Sequence, residues 1–318
     1  MLAYFLFLAG LIALAAGAYL LVQGASRIAT VMGAPAVVIG LTVVAVGTST
    51  PELLTSAVAS WEEQPETALG NVIGSNIANI GLILGLTVVI APIVPDRTVL
   101  RREGPVLIGA SLLIVVLGFT GTIEPWMGGL LLVALAAFVV LALQWSRDEP
   151  GVVVEQVLHF QKESGIGRPA PLGQAIAFTA AGIVLLATGG PALVTGAVDI
   201  ADDLGISEFV VAATIVAIGT SLPELATSIT AALRREADIA IGNVIGSNIF
   251  NLLGVLGAAA LINPIPLTSD MQWLDLPWMA GLAVVGVALA RQGFALTRVE
   301  GAALLFAYVV YVGWIVIR

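Results

Sequence analysis

Apolar residues in this chain run in long stretches, and the charges collect in the gaps between them. At about 20 apolar residues per membrane crossing, this pattern predicts helices over residues 2–23, 35–60, 67–92, 104–121 and 125–146, and again over 171–197, 207–233, 237–263, 273–291 and 296–317. The one long polar block, residues 147–170, reads as a linker, and its 152–163 part fits a short amphipathic helix on the membrane surface. Residues 2–22 lack a basic leading region and are too long for a typical signal-peptide core, so they read as a retained first helix. The expected fold is an all-α integral membrane protein. Its parts are a first five-helix repeat (1–146), a cytoplasmic linker (147–170) and a second five-helix repeat (171–318).

Composition agrees with the pattern and narrows the function. Hydrophobic residues make up 59% of the chain and charged residues 10%, and the mean hydropathy is +1.05. A soluble domain needs far more surface charge than this. There is no cysteine, hence no disulfide framework, thiolate metal site or cysteine nucleophile. A net charge of −9 without a basic cluster argues against nucleic acid as a partner. The single histidine, His159, falls in the linker, and no nucleophile pairs with a base, so an enzyme is not expected. No cofactor and no obligatory protein partner are implied; the partners expected are the lipid bilayer and the transported ions.

Basic residues then orient the helices, because cytoplasmic loops retain them. With the amino terminus outside, the inner loops hold Arg27, Arg97, Arg101, Arg102, Arg147, Lys162, Arg168, Arg234, Arg235, Arg291 and Arg298, and only Arg318 falls outside. Trp126 and Trp273, near helix ends, read as interfacial anchors. Both termini are therefore expected to be extracellular.

One stretch is written twice. Residues 42–59, TVVAVGTSTPELLTSAVA, and 214–231, TIVAIGTSLPELATSITA, are each followed by a second block, GNVIGSNIAN at 70–79 and GNVIGSNIFN at 242–251. A single offset of 172 residues superimposes both blocks without a gap. Five spans is an odd number, so the second copy enters from the opposite side, giving two inverted repeats. Secondary transporters share that plan and place their site near the midplane.

Each copy puts one carboxylate, Glu52 or Glu224, in an apolar segment, where it marks a cation or proton site. Pro51 and Pro223 lack an N–H, so the Gly47 and Gly219 carbonyls lose their helical partners and the turns at Thr48 and Thr220 loosen. Thr48 and Glu52, like Thr220 and Glu224, are four residues apart, which in a helix is one face. Two such sets facing each other would make an all-oxygen, doubly negative cage suited to Ca²⁺. In the second block, Gly70, Gly74, Gly242 and Gly246 have the spacing of close helix packing. Asn71, Asn76, Asn243 and Asn248 read as structural amides tying the two blocks together. Ser75 with Asn79, and Ser247 with Asn251, each share a face; ligation and ordinary hydrogen bonding fit them equally well.

These blocks, GTSxPE followed by GNVIGSN in both halves, are similar to the α-repeats of the cation/calcium exchanger superfamily, most closely its prokaryotic sodium/calcium exchanger branch. The resemblance spans essentially the whole chain. It implies a calcium site made by Glu52 and Glu224 together with the backbone oxygens of Thr48 and Thr220. It also implies sodium or cavity-lining positions at Ala45, Ser49, Ser75 and Asn79 in the first half, and Ala217, Ser221, Ser247 and Asn251 in the second. Many prokaryotic and all potassium-dependent relatives carry Asp where Asn251 stands, so the chain looks like the potassium-independent type. The function implied is Na⁺/Ca²⁺ antiport by alternating access. A calcium/proton antiporter of the same fold is the alternative, although no transmembrane histidine or further acid supports it. A passive cation channel fits less well, since paired buried acids would hold cations too tightly for rapid flow.

Overall fold

The structure is a computed structural model that describes residues 2–32, 36–94, 97–147, 171–204, 219–292 and 295–317. Helix α1 (Leu2–Met32) is followed by α2, which begins at Ala36–Ile39, widens into a π turn at Gly40–Val44 and ends at Ala45–Thr48. Next come α3 (Thr50–Trp61), α4 (Pro65–Ile90), α5 (Arg97–Gly118) and α6 (Pro125–Arg147). After the linker the chain forms α7 (Leu172–Asp203), α8 (Leu222–Leu233) and α9 (Ala237–Ile262). Helix α10 leads from a π turn at Met271–Asp275 into Leu276–Gln292, and α11 is Arg298–Ile317. Short strands β1 (Thr122–Ile123) and β2 (Ile265–Pro266) pair antiparallel, Thr122 opposite Pro266.

Among the described residues, seven helices are long and apolar enough to cross a membrane, and the bent pair of α2 and α3 makes an eighth if it is one span. Residues 148–170 of the expected linker, with its amphipathic stretch, and 207–218 of the expected helix over 207–233 lie outside the described residues. Large apolar side chains such as Phe5, Ile12, Val133 and Phe306 are exposed, as lipid-facing residues are. Trp126 and Trp273 are also exposed, in keeping with their expected place as anchors.

The chain divides into two compact units, Met1–Thr48 with Val139–Asn243, and Ser49–Phe138 with Val244–Arg318. In the first unit α1 and α7 pack antiparallel along a glycine seam. Gly10 faces Gly189 and Leu193, Gly17 faces Gly182, and Gly24 faces Thr179. A Cβ on Gly182 would come within 2.6 Å of the Leu21 nitrogen, so only glycine permits this approach.

Both helices of that seam outrun their expected ends. At 31 residues, α1 is about 46 Å long, against a hydrocarbon core of about 30 Å, and must tilt or project. The apolar run stops near Gln23, but Ser26 and Arg27 beyond it pack against other helical residues. The Ser26 hydroxyl donates to Glu236 Oε1 at 3.0 Å, and the Arg27 guanidinium lies 4.9 Å from the Phe178 ring centroid. Arg27 is therefore not a loop residue, as the charge count assumed, but a buried helical one. It still sits at the end of α1 that the count assigned to the inside.

In the second unit α3 packs against both α4 and α9, and α5 packs against α10. The Ser60 hydroxyl donates to the Ala259 carbonyl at 2.7 Å, and the Asn263 amide donates to the Ser60 carbonyl at 2.6 Å. Those two bonds fasten the end of α3 to the end of α9.

Candidate functional site

The break expected from Pro51 is present and sharp. Helices α2 and α3 meet at 52°, and Ser49, at φ −86° and ψ 9°, is the non-helical residue between them. Pro51 occupies the first turn of α3, where its missing N–H costs nothing. In the second copy Ser221 has φ −88° and ψ 6°, with Pro223 in the first turn of α8. Thr48 and Glu52 are thus not on one face of one helix, because the break falls between them. Glu52 and Glu224 stand instead in the first turns of new helices. There the exposed N–H groups and the helix dipole favour a negative charge, which keeps each acid suited to a cation.

Within the first unit, Ala45, Thr48, Ser221, Glu224 and Asn243 are buried and Thr220 is half-buried. Asn243 Nδ2 donates to the Glu224 carbonyl at 3.3 Å and to Ser228 Oγ at 3.0 Å. The second unit repeats the arrangement around Glu52, which is 1% exposed. Asn71 Nδ2 donates to the Glu52 carbonyl at 3.1 Å and to Ser56 Oγ at 2.9 Å. Asn71 and Asn243 do tie the two blocks together. Asn76 and Asn248 do not, since each amide bonds back into its own helix, to Val72 and Val244, at 2.7 Å.

Ser49, Ser75, Asn79, Ser247 and Asn251 also lie buried in the second unit. Asn79 opens the π turn Asn79–Leu84 inside α4, and Asn251 is the second residue of the π turn Phe250–Val255 inside α9. Hydrophobic periodicity carries no sign of such turns, and they often accompany functional sites. The carboxamides of Asn79 and Asn251 are 1% and 0% exposed, and no atom of either is hydrogen-bonded. The Ser247 hydroxyl is likewise buried without a hydrogen bond. Buried polar groups of this kind call for an ion or water. Their oxygens suit Na⁺ or Ca²⁺, which take hydroxyl, amide, carboxylate and main-chain oxygen. Ala217 lies outside the described residues.

Two expectations fail in detail. A Cβ on Gly70 or Gly74 would meet nothing within 4 Å, so close helix packing does not explain these glycines. Acids outside the repeated blocks also lie in helices: Glu103 is buried, and Asp275 accepts a hydrogen bond from the Tyr311 hydroxyl at 3.3 Å. Among the described residues no three His, Cys, Asp or Glu side chains gather.

Residues 2–144 and 174–317 match the sodium/calcium exchanger protein family. The chain belongs to that family. The exchanger is 38% identical over 307 residues to CaxA of Alkalimonas amylolytica, covering 96% of this chain and 95% of the relative. It is 31% identical over 344 residues to the sodium/calcium exchanger MaX1 of Methanosarcina acetivorans, covering 97% of each. A solved structure of the sodium-calcium exchanger NCX_Mj matches it with a TM-score of 0.82 at 32% identity over 98% of both chains. The family consists of multi-pass membrane transporters, not enzymes, and its members exchange cations without a cofactor.

Proposed function

We propose that this exchanger carries Ca²⁺ in one direction and Na⁺ in the other by alternating access. Glu52, Glu224, Thr48 and Thr220 serve Ca²⁺, and Ala45, Ser49, Ser75, Asn79, Ala217, Ser221, Ser247 and Asn251 serve Na⁺ or line the path. The observation that carries the reading is the pair of buried, unbonded carboxamides at equivalent positions, Asn79 and Asn251. Two carboxylates sharing one ion at about 5 Å would repel by roughly 3 kcal/mol at an effective dielectric near 20. An empty doubly charged site is therefore a poor species to carry across, and obligatory filling by Ca²⁺ or Na⁺ yields exchange rather than leak. Ten spans in two inverted repeats (1–146 and 171–318, joined by 147–170) complete the proposal. In it the first and sixth spans slide together, and the glycine seam between α1 and α7 supports that pairing.

Sodium-driven ⁴⁵Ca²⁺ flux into proteoliposomes tests the reading. Uptake that follows the Na⁺ gradient is expected. Uptake driven only by a pH gradient would make the protein a calcium/proton antiporter, and gradient-independent flux would make it a channel. Orientation is tested in the cysteine-free chain with Glu63→Cys, expected to react with an impermeant thiol reagent from outside, and Ser164→Cys, expected to react only after lysis.

A further inference from the structure

We infer that Asn243 is a positioning residue of the cation site, joining Thr48 of the first repeat to Glu224 of the second. Its amide orientation is settled by its partners. Nδ2 donates to the Glu224 carbonyl and to Ser228 Oγ, so the atom turned towards Thr48 is Oδ1. Thr48 Oγ1 lies 3.1 Å from it and 3.3 Å from the Ala45 carbonyl. Both neighbours are acceptors only, so the Thr48 hydroxyl must donate, and the shorter distance gives Asn243 the larger share of its one proton. Asn243 and Thr48 are fully buried, which leaves no water to replace these bonds.

The consequence is mechanical. Thr48 is the last residue of α2 before the break, and Glu224 stands in the first turn of α8 after the other break. One carboxamide therefore sets the distance between a loosened helix end of one repeat and the acid-bearing helix start of the other. By holding the Thr48 side chain, Asn243 fixes the turn whose backbone oxygen the proposed site presents to the ion. The equivalent Asn71 holds the Glu52 carbonyl and Ser56 by the same two donations. Its counterpart to Thr48, Thr220, is only half-buried.

The inference rests on the exchange reading above, and a double-mutant cycle separates the two. Asn243→Ala is expected to raise the KM for Ca²⁺ five- to tenfold, about the loss of one hydrogen bond, with maximal flux within twofold of wild type. Thr48→Val added to Asn243→Ala should raise KM no further than the larger single effect, because the shared bond is already gone. The same non-additivity should appear in melting temperature measured without ions, so the bond is tested even if the wild type moves no calcium. Asn243→Asp keeps an acceptor for Thr48 and loses both donations. Thr48→Val should therefore add its full effect to Asn243→Asp, and Asn243→Leu, which removes the bond but fills the space, substitutes for the alanine variant if that does not fold. Additive effects of Thr48→Val and Asn243→Ala in both KM and melting temperature, or an unchanged KM in folded Asn243→Ala, would overturn the inference.

Discussion

Around residues 52 and 224 the two copies of the repeated block share one asparagine clamp. In each an asparagine 19 residues on donates to the glutamate carbonyl and to the serine one turn later. At the far ends of the same helices the copies part. Ser60 and Asn263 fasten α3 to α9, whereas the equivalent positions are Ala232 and Ala91, which have no side-chain group to do the same. What has stayed fixed through duplication is the setting of the acids. What has drifted is the fastening of the helices that bear them. The first should control ion exchange and the second only stability.

The strongest test of that division is charge removal in both copies. Glu52→Gln and Glu224→Gln keep volume and remove the charge a divalent ion requires, so each should abolish sodium-driven ⁴⁵Ca²⁺ flux while the protein still inserts and runs as one species on size exclusion. Robust uptake by either variant would show that the copies are not equivalent partners in one site.

Next in size is a contrast between two sets of glycines. Gly182→Leu would drive a side chain into the α1 backbone and should destabilise the protein by about 3 kcal/mol or prevent folding. Gly74→Ala, whose new methyl meets nothing within 4 Å, should melt within a degree or two of wild type. The reverse order in a detergent-solubilised thermal melt would place the close helix contact in the repeated block after all.

These glycines also show what the sequence discloses and what it withholds. The duplicated acids, the proline breaks and most spans follow from composition and spacing, because burial of charge in an apolar run and loss of an N–H are local facts. The seven-residue rhythm of Gly10, Gly17 and Gly24 against Gly182, Gly189 and Gly196 was present in the chain, but its meaning depends on which helices meet. Helix α1 ran past its expected end because Ser26 bonds to Glu236 and the Arg27 guanidinium packs over the Phe178 ring, residues distant in sequence. The same holds for the bond from Thr48 to Asn243. The π turns at Asn79 and Asn251 add a residue to a helical turn without changing its hydrophobic pattern, so no count of apolar positions could reveal them.

A smaller effect is expected from adding charge where the copies carry matching amides. Asn251→Asp places a carboxyl at a fully buried position, where burial and the acids of the proposed site both disfavour a further negative charge. Protons should then compete with the cations more strongly than in the wild type, so flux in the mutant should begin to fall at a higher pH. Asn79→Asp should do the same if the copies are equivalent. Wild-type flux should need no K⁺, and the added charge of Asn251→Asp could be balanced by K⁺. Strict K⁺ dependence of the wild type, or an unmoved pH profile in the mutant, would remove Asn251 from the ion path.

The smallest effect is expected where the copies differ. Ser60→Ala removes the donation to the Ala259 carbonyl and leaves the bond from Asn263 to the Ser60 main chain. Asn263→Ala does the opposite. Each buried bond should contribute about 0.6–1 kcal/mol, as hydrogen bonds between membrane helices do, so each variant should unfold slightly earlier in a thermal or denaturant melt. Neither change alters a carboxylate, an unbonded amide or the amide clamp on Glu52, so the KM for Ca²⁺ should stay within twofold of wild type. A shift in KM comparable to that of Asn243→Ala would mean that the fastening of α3 to α9 sets the geometry of the ion site, and that divergence between the copies reaches their chemistry.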